Sequence, residues 1–289
     1  IQTTNSANLV ASAVTVPTGD TQPTVSGVHN EAPLPVTFSS SGNLTVNSYT
    51  RTAGGLAKSS TFSATGSATL GTVDASKDTV SVTGPAGITV GSLVSTGNMT
   101  LNATSGPVNA QSDNTGVEIT AGGVLTISGK GIGTGAMTNP LDLTAATINL
   151  TSTGTAAGPI GGTNAVVANT PNLTVNASGG STFNVSTGTT SLTNLTVTAN
   201  PTAVGDTGVA QISTPGGPYV FDADALGNFT FNPPVSTGRN ITFTSTSGDI
   251  ALGATDLGTG NFVLSANGGS IVGGSPIAAA NVTLTAAPF

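Results

Sequence analysis

The sequence predicts an all-β chain wound as a parallel β-helix, a β-solenoid of about 20–25 residues per coil. A recurring strand motif, its spacing and a strand-forming composition with few charges carry that reading. The motif reads Asn, apolar, Thr, apolar. It stands as NLTV at 43–46, 172–175 and 194–197, and as NMTL at 98–101. It returns as NFTF at 228–231, NITF at 240–243, NFVL at 261–264 and NVTL at 281–284. GVLTI at 123–127 and TINL at 147–150 are degraded copies.

The spacing is that of one solenoid turn. Asn98 to Gly123 is 25 residues, Gly123 to Thr147 is 24, Thr147 to Asn172 is 25 and Asn172 to Asn194 is 22. Asn194 to Asn240 is 46, two steps of 23, and the next steps to Asn261 and Asn281 are 21 and 20. A second apolar residue follows the first apolar residue of the motif by nine positions: Met99 and Val108, Leu195 and Val204, Ile241 and Ile250, Phe262 and Ile271. Each coil thus reads as a short strand, a Gly-containing turn and another short strand. Within the strands, Val, Ile, Leu and Phe alternate with Thr, Ser and Asn, which points one face inward at period two. Inward columns are expected at Ile241, Phe243, Phe262, Leu264, Val282 and Leu284.

Composition agrees. The chain has 289 residues, of which 6% are charged, against about 25% in ordinary globular domains. No apolar run reaches the roughly 20 residues of a membrane helix, so membrane insertion is not expected. There is no Cys, which excludes disulfides and Cys metal sites. The net charge is −7, and Arg51, Lys58, Lys77, Lys130 and Arg239 are scattered, so the basic footprint of a nucleic-acid binder is absent.

Along the chain, residues 1–60 read as an irregular β N-terminal or capping region, interrupted by Pro17, Pro23, Pro33 and Pro35. Residues 61–289 read as the rod. Within it, 201–231 reads as an insertion, where YVFDADALGNFTF fits either a protruding hairpin or one coil with a longer loop.

The tract NITFTSTSGDIALGATDLGTGNFVLSANGGSIVGGSPIAAANVTLTAA, from Asn240 to Ala287, resembles the filamentous-haemagglutinin-like β-helix repeats of large bacterial secreted proteins. These are the passengers of two-partner secretion and related autotransporter-like exoproteins. The resemblance is one of strand-and-turn pattern and extends from about Phe62 to Phe289. It implies a right-handed coil and an extracellular or cell-surface structural or adhesive role. The Asn-Pro motifs of that family's secretion domain have no counterpart here beyond Asn139-Pro140-Leu141, which reads as a turn.

Candidate sites are few. Asp222 and Asp224, two apart, would share a strand face and are the one candidate for Ca²⁺, although Ca²⁺ takes about 6–8 oxygens and a solvated edge explains the pair more simply. His29, beside Glu31, is the only histidine, which leaves no nucleophile–His pair and no transition-metal set. Lys130 in SGKGIGTG lacks the order of a phosphate loop and no helix is expected after it. No catalytic residue or cofactor is expected. The motif residues Asn98, Asn172, Asn194, Asn240, Asn261 and Asn281 are formal glycosylation sequons except Asn261. Their phase with the strands favours a ladder along the solenoid axis, at turn positions that suit Asn. Phe229, Phe231, Phe243 and Phe262 are expected to stack inside.

The expected function is an extracellular rod that acts by reach, rigidity and end-to-end or loop-mediated contacts, with no enzymatic activity. A polysaccharide-acting β-helix enzyme would need converging carboxylates. A tandem Ig-like fibre would repeat at about 90–100 residues. The chain begins at Ile1 and finishes on a regular strand without later charge or capping helix. It is therefore expected to be a mature or excised piece whose partner is its own continuation or another copy docked end to end, with no nucleic-acid partner and with a host or matrix surface as the outer contact.

Overall fold

The computed structural model describes residues 35–51, 58–76, 78–111, 116–134, 140–153, 158–178, 183–188, 190, 261–266, 270–272 and 276–286. It also describes the strands Val14–Thr15, Thr24–Val25, Val28–Asn30, Asn194–Asn200, Val209–Thr214, Tyr219–Phe221, Phe231–Asn232, Asn240–Ser245, Ile250–Leu252 and Thr255–Asp256. Among the described residues every strand pairing is parallel and there is no helix. The described residues form a parallel β-solenoid.

One face is built by Val36–Ser40, Ser59–Ala64, Thr79–Thr83, the first half of Met99–Ala110, the first half of Val124–Ile132, Thr147–Ser152, Asn172–Ser178 and Asn194–Asn200. Each is hydrogen-bonded to the next coil. The register yields columns of equivalent residues. Inward, Phe38, Phe62, Val82, Leu101, Ile127, Leu150 and Val175 lie one above another, and each is at most 1% exposed. Outward, the column one residue earlier is Thr37, Thr61, Ser81, Thr100, Thr126, Asn149, Thr174 and Thr196. Period-two alternation in the sequence becomes an apolar interior and a hydroxyl-rich surface.

A second face carries Leu44, Ala68, Ile88, Val108 and Ile132 as register partners, joined by Ile160 through an isolated bridge. A third stacks Tyr49, Val73, Leu93, Ile119, Leu143 and Ala168. This third ladder continues through Phe183–Ser186, Val209–Thr214, Asn240–Ser245, Asn261–Ala266 and Asn281–Ala286. The nine-residue partner in the motif is the next face of the same coil: Ile250 pairs with Ile271 just as Ile241 pairs with Phe262.

Register revises several expectations in detail. Leu125, not Val124, lies opposite Met99, so the degraded motif is counted from Val124 and not from Gly123. The ladder is already regular inside 1–60, where Val36–Ser40 and Leu44–Arg51 pair with the coil above. The prolines there precede Val36 and do not interrupt it. In 201–231, Tyr219–Phe221 pairs in parallel with Ile250–Leu252, and Phe231–Asn232 with Val197-Thr198. Each of the two strands thus has its described partner in another coil; the residues that join them lie outside the described residues. Val282 and Leu284 lie over the buried Phe262 and Leu264 but are 42% and 48% exposed. The side chains of Ile241 and Phe243 lie outside the described residues.

Of the phenylalanines expected to stack inside, Phe262 is buried and the side chains of Phe229, Phe231 and Phe243 lie outside the described residues; a further aromatic cluster sits in the first coils. Phe38 and Phe62 are stacked, with ring centroids 5.4 Å apart and planes at 6°. Tyr49 meets both edge-on, at 5.3 and 5.7 Å. Phe243 is opposite Leu264, so it is not a register partner of Phe262; Phe229 lies outside the described residues. Removing Phe62 would leave a cavity between two coils. Phe62→Ala is expected to destabilise by about 3–5 kcal/mol, read from the denaturation midpoint, while Thr61→Ala on the outward column stays within about 0.5 kcal/mol.

Candidate functional site

Two kinds of polar device recur in the described coils: hydrogen-bonded corners and one buried ion-pair network. The corners come first from the motif Asn. Asn43 Oδ1 accepts from the N–H and hydroxyl of Ser67 at 2.9 and 3.0 Å. Asn98 Oδ1 accepts from the N–H of Val124 at 2.9 Å. Asn172 Nδ2 donates to the carbonyl of Ala146 at 2.9 Å. Each bond joins one coil to its neighbour at the point where the chain enters a strand. A turn-preferring residue that also offers a side-chain amide suits this position.

A buried hydroxyl supports each of these corners from the preceding strand end. Ser40 Oγ accepts from Gly42 N–H at 3.1 Å and donates to the Asn43 carbonyl at 2.9 Å. Ser95 Oγ accepts from Gly97 N–H at 2.9 Å. Thr170 Oγ1 accepts from Asn172 N–H at 3.2 Å and donates to the Asn172 carbonyl at 3.0 Å. Ser95 and Thr170 are 1% and 0% exposed, so these bonds replace lost water. Motif reading overlooked the hydroxyls. Their signal was present as Ser or Thr two or three residues before Asn, in SSGN, STGN and TPN.

The motif asparagines occupy two columns, not one. Asn172 is the register partner of Asn194 on the first face, and Asn261 of Asn281 on the third. Asn240 stands opposite Val209 on that third ladder, and Asn98 leads into the first face at Met99. The side chains of Asn194, Asn240 and Asn261 lie outside the described residues.

The ion-pair network lies between the first coils. Arg51 Nη1 donates to Asp78 Oδ2 at 2.7 Å, with the two side chains 5% and 3% exposed. Ser60 Oγ donates to the same oxygen at 2.6 Å, and Tyr49 Oη and Ser60 Oγ are 3.3 Å apart. Asp78 Oδ1 accepts from Lys58 N–H at 3.2 Å, and its carbonyl accepts from Ser95 Oγ. Ser60 is the polar member of an inward column between Val36 and Val80. It turns a gap in the apolar stack into a relay that fixes Asp78. The residues come from separate coils, so the network joins turns of the solenoid.

The other candidates separate. Asp222 and Asp224 lie outside the described residues, as does the His29 side chain; the backbone of His29 pairs with Thr50. Lys130 is exposed within the strand Val124–Ile132 and borders a shallow groove of about 370 Å³ with Ser105, Gly106, Gly131, Thr134 and Gly158. The groove offers one ammonium and two hydroxyls. Among the described residues no three His, Cys, Asp or Glu side chains gather. Compared with protein-family models, curated proteins and solved structures, the chain matches none.

Two predictions follow from the corners and the network. A Cβ on Gly123 would run into Asn98 Oδ1, so Gly123→Ala should cost about 1–3 kcal/mol. Adding Asn98→Gly should make the pair non-additive in a double-mutant cycle of thermal unfolding, because the obstructing atom is gone. Asp78→Ala should cost about 3–5 kcal/mol by leaving Arg51 buried without its carboxylate, whereas Arg51→Met with Asp78→Leu should stay far closer to the parent; denaturant unfolding of both variants checks this.

Proposed function

We propose that this chain is a rod segment of a secreted or cell-surface bacterial protein, acting by reach, rigidity and surface presentation. The observation that supports it is the outward column from Thr37 to Thr196, kept in register coil after coil. A stack that repeats along one axis gives length and stiffness without a central cavity. Its hydroxyl-rich surface, with 6% charged residues in the chain, suits an extended object whose neighbours are copies of the same strand. The likeness of the Asn240–Ala287 tract to filamentous-haemagglutinin-like repeats points the same way. In this reading a further coil of the same kind stacks over Val282 and Leu284, and contact with a host or matrix surface falls to the loops between faces.

Electron microscopy of the purified chain tests the rod. Duplicating the coil from Val124 to Ala146 should lengthen the particle by about 4.8 Å at constant width. Round particles whose width grows on duplication would overturn it. Loss of adhesion to matrix-coated surfaces on grafting neutral linkers into the loops, with the rod intact, would support the contact role; unchanged adhesion would count against it.

A further inference from the structure

Among the described residues, Glu118 is the most buried carboxylate outside the ion-pair network, at 1% exposed. It precedes the strand Ile119–Ala121. Asp142 opens the strand Asp142–Thr144, one coil further on, and the two strands pair through Ile119 and Leu143. Two bonds tie the residues together. Asp142 N–H donates to Glu118 Oε2 at 2.7 Å, and Glu118 N–H donates to the Asp142 carbonyl at 3.0 Å. Glu118 Oε1 and Asp142 Oδ1 are both buried and have no hydrogen-bond partner among the described residues.

Two buried acceptors without a donor, on residues that are neighbours in successive coils, are costly as two carboxylates. One proton resolves them. A protonated Glu118 can donate from Oε1 to Asp142 Oδ1 while Oε2 keeps the Asp142 N–H. A Ca²⁺ ion would also supply positive charge, but it takes about 6–8 oxygens, and no third acidic or His ligand joins the pair among the described residues. The flanking strands Gly87–Ser95 and Val166–Asn169 carry no titratable side chain, and Ile119–Ala121 and Asp142–Thr144 carry none besides Asp142. No cation from these strands competes with the proton.

We propose that Glu118 and Asp142 share one proton across two successive coils, forming a clasp that holds the turns together when protonated and loosens when the proton leaves to solvent. Burial pushes the Glu118 carboxyl up from its ordinary value; the N–H groups of Asp142 and of Glu118 itself act against this, and the Asp142 charge adds to the rise. Burial likewise raises Asp142. A carboxyl raised in the folded state stabilises in its protonated form. That contribution is fully present below the unfolded value, about 4, and is lost as pH rises through the raised folded value.

Thermal unfolding of the full chain from pH 4 to pH 8 tests the clasp. Glu118→Gln keeps the shape and supplies a permanent N–H donor toward Asp142. It should melt several degrees above wild type at pH 8, with the gap closing toward pH 4. A Glu118→Gln profile parallel to wild type at every pH would overturn the proposal. Calcium that raises wild-type Tm at pH 8 but leaves Glu118→Gln unchanged would also overturn it, in favour of a cation seat. Carboxyl ¹³C titration of wild type reads the proton without any variant: Glu118 should titrate above the ordinary carboxylate range, and titration of both groups near 4 would refute the shared proton.

Discussion

Everything in this molecule depends on the register between one coil and the next. Parallel pairing satisfies backbone donors and acceptors coil by coil, and it repeats the same side-chain position along the axis. A slip of one residue would exchange the two sides of a strand. The column Phe38, Phe62, Val82, Leu101, Ile127, Leu150 and Val175 would then face water, and the threonine column would face inward. Register is therefore held by the apolar columns and pinned again at the corners, where Asn43, Asn98 and Asn172 bond to the neighbouring coil.

The same stacking accounts for the composition. A residue on the outside of one coil has its counterpart about 4.8 Å away on the next. Like charges at that distance repel, whereas Thr, Ser and Asn tolerate their own kind and favour the strand. The charges that do enter the described core are tied by hydrogen bonds to a neighbouring coil. Arg51 meets Asp78, with Ser60 and Tyr49 completing the arrangement, and Glu118 lies against the backbone N–H of Asp142. Both sets link different coils, so each polar exception to the apolar interior acts along the axis.

The architecture was legible because a solenoid writes itself repeatedly into its sequence. The spacing of NMTL, VLTI, TINL and NLTV matches columns that the structure contains, since Met99, Leu125, Ile148 and Leu173 are successive partners. What stayed hidden has a common cause: a single motif can serve more than one face. NLTV at 172–175 lies on the first face and NVTL at 281–284 on the third, so identical text did not mean one column. Non-local pairs were hidden as well. Nothing local marks Arg51 for Asp78 or Glu118 for Asp142, because the partners are 27 and 24 residues apart and meet only once the coils are stacked. The corner hydroxyls Ser40, Ser95 and Thr170 were visible in the text but carried no meaning until the turn geometry showed the N–H they receive.

Distances along the outward column test the central claim most directly. The chain has no Cys, so spin labels attach only where Cys is introduced, and Thr37, Ser81, Asn149 and Thr174 offer outward positions on one face. Pulsed electron–electron resonance on Thr37→Cys paired in turn with Ser81→Cys, Asn149→Cys and Thr174→Cys should give separations rising by about 4.8 Å per coil. These pairs span two, five and six coil steps. A linear rise is the predicted result. Distances that fail to grow with the number of intervening coils, as in a chain folded back into antiparallel sandwiches, would contradict the account.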